Sequence, residues 1–206
     1  MLRTPRSILF DLGRVIVPFD FARGYSRMSA LSGLDPAEIR RRIAADSLVS
    51  DYECGKYSTE EFVARLTGRL DLKLTVAEFL EIWSSIFEPH TLIPDSLPAG
   101  LKRQGYRLVL LSNTNDMHFN WVRPRYPILD HFDAFVLSHQ VGAQKPSPEI
   151  YRVAVEAAGV PAEECFFTDD IPEYVEGAKR AGIDAVRFES YEQLRGELLA
   201  RGVAVD

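Results

Sequence analysis

Five short runs of almost unbroken apolar residues punctuate the chain, at 8–10, 108–111, 134–137, 165–168 and 185–188. A strand covered on both faces reads as continuous rather than alternating hydrophobicity, so these runs predict a parallel sheet. Gly105, Gly159 and Gly182 precede three of the runs, where they would close helices in the left-handed conformation. Helical patterns over 148–158 and 172–181 each open with proline at the first helical position, and Ser147 supplies an N-cap for the former. Strands alternating with helices predict an α/β fold with a doubly wound, mostly parallel sheet.

The alternation fails in one place. Nearly a hundred residues separate the first run from the second, and they hold no convincing strand. They do hold three capping-box patterns, in which a short N-cap residue is followed three positions later by glutamate: Asp35 with Glu38, Ser58 with Glu61, and Thr75 with Glu78. Phe62, Leu66 and Leu70 are spaced for one buried helix face, and Phe79, Ile82, Trp83 and Ile86 for another. The pattern predicts a helical cap over 18–92, inserted after the first strand of an α/β core formed by 1–17 and 93–206. In an open α/β sheet ligands bind at the carboxyl ends of the strands, where such an insert would act as a lid. Phe19, Asp20, Tyr25, Tyr52 and Trp83 are candidates for its inner lining.

A length of 206 residues suits one domain with an insertion. The net charge of −6 argues against a nucleic-acid partner, because neutralising phosphates takes a basic surface. No apolar run is long enough to span a membrane. The first apolar run breaks at Asp11, too soon for a signal-peptide core. Cys54 and Cys165 have no metal or disulfide-framework spacing, so two reduced thiols and a cytoplasmic location are expected. His90, His118, His131 and His139 show no metal-ligand spacing either and are expected at the surface or in caps. Walker, GxGxxG, HExxH and GxSxG motifs are absent.

What remains are polar residues at the ends of the expected strands: Asp11, Ser112 with Asn113, Lys145 before the helix that follows the third strand, and the pair Asp169 and Asp170. In a parallel sheet these ends face one crevice. Three carboxylates there repel one another and raise their own pKa values unless a cation joins them. Oxygen ligands in that number, without His or Cys, suit Mg²⁺. With a hydroxyl and a lysine beside them they describe a phosphoryl-transfer site with an aspartate nucleophile.

The ordered strings FDLGRVIV (10–17), YECGKYSTEEF (52–62), LSNTN (111–115), QKP (144–146) and FTDDI (167–171) resemble those of the haloacid dehalogenase-like superfamily over nearly the whole chain. Within it the chain is most similar to the subgroup of bacterial α-glucose-1-phosphate phosphatases and the phosphatase domain of soluble epoxide hydrolases. The resemblance implies that Asp11 forms an aspartyl-phosphate. It implies that Asp11, the Gly13 carbonyl, Asp169 and Asp170 surround Mg²⁺, and that Ser112, Asn113 and Lys145 hold the phosphoryl group. The implied substrate is a small phosphorylated metabolite, a sugar phosphate above all.

One position departs from the superfamily's usual pattern. Most of its phosphatases carry a second aspartate two residues after the nucleophile, as general acid and base; here Gly13 stands there, as it does in the subgroup. Rival readings are a 2-haloacid dehalogenase, a phosphomutase, or a catalytically silent relative that binds a phosphorylated ligand or a protein. The Asp169–Asp170 pair favours the phosphatase over the metal-free dehalogenase.

Overall fold

Every strand of the sheet is parallel to its neighbours. The structure, a computed structural model, describes residues 3–205; Met1, Leu2 and Asp206, counted in the expected core, lie outside the described residues. The strands are β1 (Ser7–Phe10), β2 (Arg107–Ser112), β3 (Ala134–Leu137), β4 (Cys165–Asp169) and β5 (Asp184–Arg187), in the order β3-β2-β1-β4-β5. All five apolar runs are strands, β3 with the expected ends and the others with ends moved by a single residue. Phe188, expected inside β5, lies just beyond it and donates its N–H to the Asp169 carbonyl at 2.9 Å. The chain moves outward from β1 through β2 to β3, then crosses back to β4 on the other side of β1. That reversal opens a crevice at the carboxyl ends of β1 and β4.

Alternation within each strand sorts side chains to two faces. Ile8, Phe10, Leu108, Leu110 and Phe166 enter one apolar cluster, together with residues of α6 (Ser96–Arg103) and α11 (Tyr191–Ala200). Leu9, Val109, Leu111 and Phe167 enter the other, against α9 (Pro148–Ala158) and α10 (Pro172–Arg180). Side chains buried this completely each contribute about 1.5–3 kcal/mol of transfer free energy. Gly159 closes α9 at φ 68°, and Gly105 and Gly182 take the same left-handed conformation beyond α6 and α10. Ser147 occupies the N-cap position of α9, but its side chain makes no capping bond.

Between β1 and β2 run α1 (Phe21–Ser32), α2 (Pro36–Ile43), α3 (Leu48–Glu53), α4 (Thr59–Arg69) and α5 (Val76–Trp83). They bury their own cluster, built on Phe62, Leu66, Leu70, Phe79, Ile82 and Trp83. Met117 of α7 (Asp116–Val122) reaches into it from the strand side. Ser58 and Thr75 form reciprocal capping boxes with Glu61 and Glu78. Asp35 caps α2 through the Ala37 N–H, but Glu38 does not reach back to it: its carboxylate is drawn off by Arg41 and Arg42, at 2.6 and 2.7 Å. An arginine guanidinium outcompetes a neutral backbone N–H for a carboxylate.

Two paired segments carry the chain into and out of this helical layer. Glu88 donates its N–H to Pro18, Leu92 donates to Ile16, and Asp20 donates to Ile86, all within 3.0 Å. On its other side the layer touches the core at Gly55. A Cβ there would stand 2.2 Å from the carbonyl oxygen of His139, which lies in α8 (Ser138–Val141), and φ is +69°. Only glycine satisfies both constraints. Among the described residues no helix is long and apolar enough to cross a membrane.

Candidate active site

The expected site residues meet at the carboxyl ends of the central strands. Asp11 follows β1 immediately, its N–H bonded to the Thr168 carbonyl of β4 at 3.1 Å. The chain then turns back tightly, with the N–H groups of Ile16 and Val17 both bonded to the Leu12 carbonyl at 2.9 Å. Arg14 takes φ 58° in this turn, the left-handed region that non-glycine residues rarely adopt. Ser112 ends β2 and Asp169 ends β4.

Lys145 ties the site together. It is 2% exposed, and its ammonium donates to Asp11 Oδ1 at 2.7 Å, Asp169 Oδ2 at 2.6 Å and the Leu111 carbonyl at 3.0 Å. All three of its protons are thereby used. The ammonium also lies over the rings of Phe167 and Tyr174, 5.5 and 5.1 Å from their centres. Burial opposes its charge, but Asp11 and Asp169 more than offset that and hold its pKa above the usual value. Asp11 is pushed up, first by burial, with Lys145 pulling it back down and Asp169 adding to the rise.

The two adjacent aspartates are not equivalent. Asp169 is fully buried and both carboxylate oxygens are engaged, Oδ2 by Lys145 and Oδ1 by the Ile171 N–H at 2.9 Å. Asp170 is partly exposed, and its carboxylate accepts no hydrogen bond among the described residues. Its pKa is raised by burial and by Asp169, with Arg14 and Lys145 acting in the opposite sense.

Asp11, Asp169 and Asp170 offer ligand oxygens that all lie within 4.8 Å of one another. Three carboxylates facing one ammonium leave two negative charges uncompensated. Oxygen donors only, clustered, partly desolvated and short of two positive charges, fit a hard divalent cation.

Asn113 is occupied differently from the expectation. Its amide oxygen accepts the Lys145 N–H at 2.8 Å, while its amide nitrogen donates to the Lys145 carbonyl at 3.0 Å and to the Tyr174 hydroxyl at 3.2 Å. The side chain fixes the lysine's backbone, which leaves Asn113 only its own backbone to offer a ligand. The Ser112 hydroxyl is not committed to any partner among the described residues.

A cleft of about 460 Å³ separates the helical layer from the strand ends. Gly13, Ser112 and Asn113 line its floor, and Phe19, Tyr25 and Trp83 its upper wall. The other two lining candidates serve elsewhere. Asp20 caps α1, and Tyr52 is buried, stacked on Phe62 and bonded to Thr59. At Gly13 a Cβ would stand 2.7 Å from the Phe19 ring, so an aromatic edge fills the place where an aspartate side chain would begin.

Several lining residues were missed by the sequence reading, and two of them bear on the chemistry of the cleft. His118, expected at the surface or in a cap, is 8% exposed and stacks on Trp83. Its Nε2 lies 3.2 Å from the Trp83 carbonyl and must donate; Nδ1 then accepts from the Asn115 amide, also at 3.2 Å. Burial lowers its pKa to about 4, so it is a neutral wall. Glu53, at the end of α3, also lines the cleft. Its position, within the string that resembled the superfamily, was a signal that went unused.

The haloacid dehalogenase-like hydrolase family model matches residues 20–182. A D-ribitol-5-phosphate phosphatase of Bacteroides thetaiotaomicron is 30% identical over 200 residues, covering 94% of this chain and 96% of its own. A HAD family enzyme of the same organism, solved with magnesium and inorganic phosphate, superposes with a TM-score of 0.80 at 26% identity, over 90% of this chain and 95% of the other. An L-2-haloacid dehalogenase of Xanthobacter autotrophicus shares the fold at a TM-score of 0.61 and 20% identity, over 98% and 85% of the two chains.

Proposed function

The chain belongs to the haloacid dehalogenase-like hydrolase family, and from that membership and the strand-end geometry we propose that it is a Mg²⁺-dependent phosphomonoesterase acting on a small phosphorylated metabolite, a sugar or polyol phosphate. The observation that carries this reading is the set of three carboxylates within 4.8 Å of one another, two of them bridged by a buried lysine.

Asp11 is the nucleophile. Its carboxylate attacks phosphorus, the ester oxygen leaves, and water later releases phosphate from the aspartyl-phosphate. Lys145 keeps Asp11 ionised against the desolvation that pushes its pKa up, and neutralises charge as the reaction proceeds. Asp169 acts through Lys145, holding the ammonium against Asp11. Asp170, with free oxygens, is the direct acidic ligand for Mg²⁺, joined by Asp11 and the Gly13 carbonyl. The ion, when bound, supplies positive charge at the phosphoryl oxygens. The Ser112 hydroxyl and the Asn113 backbone N–H hold the phosphoryl group. The segment 18–92 is the cap, hinged at its paired entry and exit segments and resting on Gly55.

Release of p-nitrophenol from p-nitrophenyl phosphate tests this reading. Turnover should require Mg²⁺, stop with EDTA, and fall by orders of magnitude in a folded Asp11→Asn variant. Turnover that survives both would overturn it, and chloride release from chloroacetate would point to carbon–halogen chemistry instead.

A further inference from the structure

The reactive end of the cleft is the same whatever ester is bound, so selectivity must come from the groups that face the leaving group. Resting on the phosphatase reading above, we propose that Glu53 determines specificity by admitting phosphoesters with an uncharged, hydroxyl-bearing leaving group and rejecting those with a second anionic group.

The cleft contains no lysine or arginine among its lining residues. A carboxylate or second phosphate on the leaving group would need such a partner, because burying an anion unpaired is costly. His118 cannot serve. Both its ring nitrogens are hydrogen-bonded and burial holds it neutral. The ionisable residues on the cap side are Asp46 and Glu53, both acidic, with the phenol of Tyr25.

Glu53 is also held as a recognition group must be. Its Oε2 accepts from the Gln144 amide at 2.8 Å, and the Gln144 carbonyl oxygen in turn accepts from the Ser50 hydroxyl at 2.9 Å. Gln144 lies beside Lys145, so the chain of bonds fixes Glu53 relative to the reactive centre. Oε1 has no partner among the described residues and is available to a substrate hydroxyl. Partial burial raises the carboxyl pKa to about 7, so the charged form gains from a new hydrogen bond. Phe19, Trp83 and Phe87 supply flat apolar faces for the carbon skeleton.

Matched substrates isolate the charge. Glycerol 3-phosphate and 3-phosphoglycerate differ only in CH₂OH against carboxylate, as do glucitol 6-phosphate and 6-phosphogluconate. Phosphate release at pH 8 gives kcat/KM for each, and the ratio is taken from the pair hydrolysed faster. The wild-type protein should prefer the uncharged member by at least about tenfold, or about 1.4 kcal/mol. Glu53→Gln, which can still accept from Gln144, should narrow the ratio at least fivefold through a lower KM for the acid, and Glu53→Lys should reverse it. A wild-type ratio near one, or a ratio that Glu53→Gln leaves unmoved, overturns the proposal while Mg²⁺-dependent p-nitrophenyl phosphate hydrolysis leaves the phosphatase reading standing. Absence of hydrolysis of any ester overturns both.

Discussion

Replacing Lys145 by methionine keeps most of the buried stem but deletes the ammonium that lies over the Phe167 and Tyr174 rings. Asp11 and Asp169, 8% and 0% exposed, would then face each other with no cation between them. Removing one partner of a buried ion pair costs about 3–5 kcal/mol, because the remaining charge is left desolvated. For a chain of this length each kcal/mol corresponds to roughly 2–4 °C, so Tm should fall by roughly 6–20 °C. The melt is to be recorded at pH 8 in EDTA, so that no divalent ion stands in for the amine. The loss must also depend on pH with a definite sign. Without the lysine the folded-state pKa of Asp11, already raised by burial, rises further above its unfolded value. Its contribution is therefore fully present below the unfolded pKa and is lost as pH rises through the folded one. The Tm deficit should thus shrink as pH is lowered towards 5.5. Adding Asp169→Asn to the lysine variant removes one of the stranded charges and should recover at least half of the deficit, a coupling that a double-mutant cycle measures directly. A Tm within 2 °C of the parent at pH 8, a deficit indifferent to pH, or no recovery from Asp169→Asn would each refute the electrostatic account of this site.

The two aspartates of β4 and its turn should separate by assay. Asp170→Ala raises the Mg²⁺ concentration needed for half-maximal turnover and leaves Tm in EDTA nearly unchanged, whereas Asp169→Ala lowers Tm in EDTA because it releases Lys145; the reverse pattern would exchange their roles. Glu53, its folded pKa raised from 4.5 to about 7, contributes stability that is present below about pH 4.5 and lost as pH rises through about 7, by no more than about 3 kcal/mol. Glu53→Gln should therefore melt at progressively higher temperature than the parent between pH 5 and 8.5, and parallel melting curves across that range would contradict the buried-carboxyl reading. Protonation of a departing alkoxide typically contributes 10²–10⁴-fold, and no carboxylic acid stands at position 13 to supply it. Across substituted phenyl phosphates the rate of aspartyl-phosphate formation should rise as leaving-group pKa falls, and a flat dependence with that step rate-limiting would reveal an unassigned acid.

The strands and the helices between β1 and β2 were legible because their signals are local. The apolar runs are continuous, the glycines that close helices sit before the strands they lead into, and Ser58 and Thr75 with their glutamates are complete within four residues. The convergence of Asp11, Lys145 and the Asp169–Asp170 pair was legible through topology, since a parallel sheet sends all its strand ends to one side. What stayed hidden depends on packing between segments far apart in sequence. Nothing near His118 announces that Trp83 and Phe87 enclose it. Glu38 is the local exception, a capping-box glutamate that Arg41 and Arg42, three and four positions on, draw away from the cap. The Asn113 side chain reads as free to meet phosphate until Lys145, 32 positions on, takes both ends of its amide and leaves only the backbone N–H for a ligand.

Position 13 shows the same limit acting on chemistry. The sequence reveals that glycine replaces the usual acid but gives no reason for it. In the folded protein the Phe19 ring occupies the space a side chain at 13 would need, and that ring is pinned by Phe21 and Phe87 and covered by the Arg14 guanidinium, 5.0 Å from its centre. Phe19 also pairs through its backbone with Phe87 where the chain enters and leaves the helical layer, so moving the ring strains that pairing. An aspartate at 13 therefore requires the Phe19 ring to move, and restoring the acid by Gly13→Asp alone would displace the aromatic wall rather than simply add to the site. On the phosphatase reading proposed above, the leaving group would meet an apolar ring at the place where an acid at position 13 would have offered a proton, and the two residues responsible can be understood only together.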